Sequence, residues 1–145
     1  MPIAPRFLGV TTLSPFFQVE GVEPVLDRLQ AVGVNAVAVN TSVTAPGAEG
    51  EGSYQPPDDG GTSPRLFDRP LWGQRGLWLR SAPGHAFRAE LFADSPYQPR
   101  PANDLTASAG PIIGEFIRAA KARGMRVYIQ TSAAAPAGLR DEDRP

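Results

Sequence analysis

The 145 residues carry 14 Lys and Arg against 15 Asp and Glu, with one His and no Cys, for a formal net charge of -1. Near-neutrality without a basic face removes the electrostatic footprint of a nucleic-acid binder. The missing Cys and single His exclude disulfide scaffolds, thiol catalysis, structural zinc and a His-rich metal site, which leaves only a carboxylate-bound metal open; no metal and no cofactor is expected.

No apolar run reaches the roughly 18 to 20 residues of a membrane span, and the opening residues lack the order of a secretory signal, so no membrane partner and a cytoplasmic location are expected. Residues 7–13, an apolar and β-branched run stopped by Ser14-Pro15, read as a buried strand. Residues 21–32 place Val22, Val25, Leu26, Leu29 and Val32 at helical spacing, with Pro24 in the first turn and Gly33 after the last. Residues 34–40 follow as a second strand, apolar enough to be covered on both faces. The unit is βαβ.

From about 44 to 105 the chain is dense in Pro, Gly, Asp and Ser, an insertion far longer than an ordinary strand-to-helix loop. A second helix then runs through Pro111 to Arg123, capped by Asp104, Thr106 or Ser108, with Ile112, Ile113, Phe116, Ile117, Ala119 and Ala120 on its buried face. Gly124 ends it, and residues 125–131 form a third strand. The order predicts a parallel sheet with both helices on one side. Three strands leave an edge unpaired, so self-association through that open strand edge is expected.

The stretch from Leu26 through Gly33-Val34-Asn35 to Val39, Tyr54 and Tyr97 in the long insertion, and the stretch from Ile117 through Arg123-Gly124-Met125 to Tyr128 together resemble the amino-terminal part of bacterial glycoside-hydrolase-like (β/α)8 barrels. The resemblance implies an α/β fold, a partial TIM barrel made of the first three parallel strands and two helices. It implies carbohydrate as substrate and hydrolysis of O-glycosyl bonds. Such families carry their catalytic carboxylates at the ends of later strands, so the pair is expected outside these residues. The alternatives are a non-catalytic carbohydrate- or partner-binding module and a piece of a sugar isomerase or epimerase.

Barrel sites lie at the carboxyl ends of strands, which points to Thr12, Ser14, Asn40, Thr41, Gln130 and Thr131. Asn40 and Gln130 stand out because an amide both donates and accepts, as sugar hydroxyls require, although the same amides also suit strand-end capping. Trp72, Trp78, Phe87 and Phe92 read as a small core for the insertion, while Tyr54, His85 and Tyr97 carry polar ends and read as ligand contacts. His85 has two readings, a structural hydrogen-bonder or an acid/base. Asp58-Asp59, before two glycines, reads as a turn rather than a catalytic pair. Residues 47–52 have glycines at neither nucleotide-binding spacing, and their two carboxylates would repel a phosphate.

Overall fold

The computed structural model describes residues 6–56, 70–95 and 101–130. The first apolar run gives strand β1, Gly9–Thr12. Ser14-Pro15 does not merely stop it; these residues open helix α1, Ser14–Glu20. Proline is tolerated in a first turn, where its missing N–H has no intrahelical partner to lose. Helix α2, Val22–Ala31, follows after Gly21 and buries Val22, Val25 and Leu26. Strand β2 is Ala36–Asn40.

The insertion holds its own sheet. Strands β3 (Ser42–Gly47), β4 (Ser53–Gln55) and β5 (Leu77–Pro83) pair antiparallel in the order β3-β5-β4. Two 3-10 turns, Leu71–Gly73 and Ala89–Phe92, flank β5. The second helical region divides into α3 (Asp104–Ala109) and α4 (Pro111–Ala122), and β6 is Arg126–Gln130. The cap of α3 is Asn103, whose side chain accepts from the Thr106 N–H while the Thr106 hydroxyl accepts from the Asn103 N–H, a reciprocal capping box.

This arrangement overturns the partial barrel. The architecture is mixed α/β with two sheets, and the first three strands in chain order are not a parallel set. β1, β2 and β6 pair in parallel, in the order β1-β2-β6, but β3 departs at Thr41 into the separate antiparallel sheet. Four α-helices rather than two are present among the described residues. The physical reason is not local: a βαβ joint is the same in any parallel sheet, and β3 leaves that sheet for the partner it finds in β5, about 40 residues on.

The main core joins both helical regions to the parallel sheet: Phe17, Leu26, Val37, Val39, Val43, Ile113, Phe116 and Ala120 are its centre. Phe17 and Phe116 stack at 4.3 Å between ring centroids, 22° between planes. A second cluster packs Leu71, Leu77 and Leu79 against Phe16, Val19 and Trp72. Across α2 and α4, the Arg123 guanidinium donates to Glu23 and, at 2.7 Å, to Asp27. Those bonds raise its pKa, Glu23 contributing most and Asp27 next.

Gln18 ties α1 to the insertion sheet. Its Nε2 donates to the Thr44 carbonyl at 2.8 Å and its Oε1 accepts from the Thr44 N–H at 3.0 Å, so one amide completes the edge of β3 as a neighbouring strand would. Gln18→Ala leaves both backbone groups unpaired in a part-buried setting. A loss of about 1–3 kcal/mol is expected in urea denaturation, with Gln18→Glu intermediate because it keeps the acceptor alone. An unchanged midpoint would show that water replaces the amide at no cost.

Candidate functional site

In open parallel sheets, ligands bind beyond the carboxyl ends of the strands, where the chain turns away and polar side chains converge. Here β1 ends at Thr12, β2 at Asn40 and β6 at Gln130, and Ser14 opens α1 just after β1. In-register pairing sets Thr12 beside Val39 and Asn40 beside Gln130. The two amides therefore stand on neighbouring strands about 4.8 Å apart, on one face. Strand alternation gives Thr12 the helix-covered face with Val37 and Val39, and Asn40 the opposite face with Ala36 and Ala38.

Thr12 is 3% exposed and Ser14 is 0% exposed, while Asn40 is half-buried and Gln130 exposed. The hydroxyl oxygens of Thr12 and Ser14 and Oδ1 of Asn40 are shut off from solvent with no hydrogen-bond partner among the described residues. Each such group costs roughly 1–3 kcal/mol. Thr12 and Ser14 carry theirs at the carboxyl end of β1, and Asn40 carries its own at that of β2, on the face opposite Thr12. All are uncharged, and among the described residues no group of three His, Asp or Glu is placed to hold a metal ion.

His85 reaches this end of the sheet through the backbone. The Gly84 N–H donates to the Thr41 carbonyl at 2.6 Å, so His85 follows a residue bonded to the neighbour of Asn40. Its exposed ring lies 4.6 Å from that of Phe87, tilted 55°, and Phe87 meets Phe92 edge-on at 6.2 Å. Gly84 fits because it has no side chain: a Cβ there would stand 2.6 Å from the Thr41 oxygen and 2.7 Å from Ile113 Cγ1.

Tyr54 lies elsewhere, on β4, half exposed and paired in register with Trp78. The rim thus brings together Asn40 and Gln130, with His85 close by along the chain, and leaves Tyr54 at the far end of β5. Trp72 belongs to the second core cluster, as the sequence suggests, but Trp78 does not, and Phe87 is 40% exposed. Tyr97, Thr131 and Asp58-Asp59 lie outside the described residues.

Two features escape the sequence reading. Arg80 pairs with Asp104 at 3.2 Å, and its hydrogen bond and charge hold that carboxyl below its ordinary range. Glu51 closes the turn after β3 by accepting from the Ala48 N–H at 3.0 Å. The alternation over residues 77–82 would have placed Trp78 and Arg80 on a shared face; only the pairing register adds Tyr54 to it. Among the described residues no helix is long and apolar enough to cross a membrane. No family model, curated protein or solved structure matches the chain.

Proposed function

We propose that the chain is the sugar-binding part of a cytoplasmic carbohydrate-active protein, a glycoside hydrolase whose carboxylate pair is supplied from outside these residues. The reading is supported above all by the unpartnered Oδ1 of Asn40 at the carboxyl end of β2, on one face with the amide of Gln130 in register, with the unpartnered hydroxyls of Thr12 and Ser14 at the end of neighbouring β1. Neutral hydroxyls and amides suit a neutral, polyhydroxylated ligand, whose every hydroxyl both donates and accepts. The neutrality of the rim also favours a second reading, in which the chain binds carbohydrate without catalysing its cleavage.

A titration of the folded protein with neutral mono- and oligosaccharides, followed by amide NMR shifts, tests the proposal. Shifts are expected at Thr12, Ser14, Asn40 and Gln130. Asn40→Ala should weaken binding about tenfold, the equivalent of roughly 1.4 kcal/mol. Thr12→Val should weaken binding while leaving stability equal or higher, because it removes a buried group that makes no bond in the free protein. Saccharides that leave these four amides unmoved would sink the rim as a sugar site.

A further inference from the structure

At the end of the insertion sheet farthest from the rim, Gly47 of β3 and Tyr54 of β4 both stand in register with Trp78 of β5. Residues directly opposite across antiparallel strands share a face, so the three form one row. The Tyr54 and Trp78 rings lie 5.4 Å apart at 49°, an open wedge rather than a closed stack. Tyr54 is 50% exposed and Trp78 half-buried. The opposite face of β5 already has its core, Leu77 and Leu79 against Phe16, Val19 and Trp72, which does not use Trp78.

The other flank of the indole is shaped by what Gly47 lacks. A Cβ on Gly47 would stand 2.9 Å from Glu51 Oε2, so the glycine lets the carboxylate settle beside the row. Its Oε2 is held there by the Ala48 N–H. Two residues along β5, about 6.8 Å away, Arg80 shares the face and is steadied by Asp104. An aromatic wedge bordered by a fixed carboxylate and an anchored guanidinium supplies a stacking surface, acceptors and donors together.

We propose that Trp78, Tyr54 and Glu51 form a second subsite that stacks one neutral pyranose unit. The apolar C–H face of the ring lies on the indole, Tyr54 closes one side, and Glu51 accepts from the hydroxyls. The subsite rests on the carbohydrate reading given above but uses none of the rim residues. Glu51 and Asp104 disfavour anionic ligands, which argues against a nucleotide as the stacked group.

The test follows the Trp78 indole N–H, assigned with Trp78→Phe, as isotope-labelled full chain is titrated with cello-, malto-, xylo- and mannotetraose and, separately, with adenosine. A shift with at least one tetrasaccharide is expected, with a five- to tenfold weaker affinity in Tyr54→Ala and about threefold in Glu51→Gln; thermal melts of each variant confirm folding. Sugar shifts confined to the rim, with Tyr54→Ala binding as tightly as wild type, would overturn the subsite and leave the carbohydrate reading standing. Shifts at Trp78 with a silent rim would support the subsite and remove the rim. No shift at either place with any sugar overturns both, and a stronger response to adenosine than to any sugar overturns the ligand class.

Discussion

Phe116→Ala is expected to lower stability by about 3–5 kcal/mol, a large part of the roughly 5–15 kcal/mol available to a domain of this size. Phe116 and its stacked partner Phe17 are both 0% exposed, and they join α4 to α1 at the centre of the core. Truncation removes the ring contacts and leaves a cavity in a core that also holds Leu26, Val39 and Val43, residues on three other elements that cannot all collapse inward. Phe116→Leu should lose less than half as much, because most of the volume remains. Urea denaturation gives both numbers, and a loss under 1 kcal/mol for Phe116→Ala would show that α1 and α4 are not held through this pair.

The second large effect is expected at Gly84 and Gly110, where two backbones touch. A Cβ on Gly84 would meet the Thr41 oxygen at 2.6 Å, and one on Gly110 would meet the Gly84 oxygen at 2.5 Å and the Thr106 oxygen at 2.3 Å. A flexible side chain can swing aside from such a contact, but a backbone carbonyl held between two strands, at a strand end or in a helix cannot. Gly84→Ala and Gly110→Ala should each cost about 1–3 kcal/mol or more. The double substitution should cost less than the sum, since two of the contacts share the Gly84 backbone and one displacement of it serves both, while the contact of Gly110 with the Thr106 oxygen remains. The same displacement breaks the Gly84–Thr41 bond and shifts His85 from the end of β2. Additive losses in a denaturation cycle would mean that the two contacts are independent.

What was legible in the sequence followed from period and burial. The spacing of Val22, Val25 and Leu26 and of Ile113, Phe116 and Ala120 marks α2 and α4 because those residues face one core. The ends of β2 and β6 were equally plain, which is why Asn40 and Gln130 could be singled out before their register was known. Helix α1 was hidden because Ser14-Pro15 reads as a stop, and a seven-residue helix owes its stability to the burial of Phe17 rather than to propensity. The split between α3 and α4 was hidden because Gly110 keeps helical dihedrals across it and Pro111, in the first turn of α4, is tolerated there as it would be in a continuous pattern. The barrel expectation failed at Thr41. Nothing local says whether a chain leaving a strand will cross back to the same sheet or build another, since that depends on contacts with residues about 40 positions away. Trp78 was misplaced for the same reason: whether an aromatic on a strand is covered depends on what stands opposite, and opposite it stand a glycine and an exposed tyrosine.

The placement of β6 beside β2 means that the main sheet closes only after the whole insertion has been synthesised. Arg123 and its partner Glu23 are 100 positions apart in sequence. Pairings of such long range are slow to form, whereas the antiparallel insertion sheet is built from much nearer neighbours, so the insertion is expected to organise before the sheet from which it springs. Closure entropy grows only logarithmically with length; doubling the intervening segment costs about 0.6 kcal/mol. A segment that lies between two paired strands can therefore change length at little expense to their pairing. In an evolving lineage the rim would stay fixed by the strands that bear it, while the surface carried by the insertion would be free to change its reach.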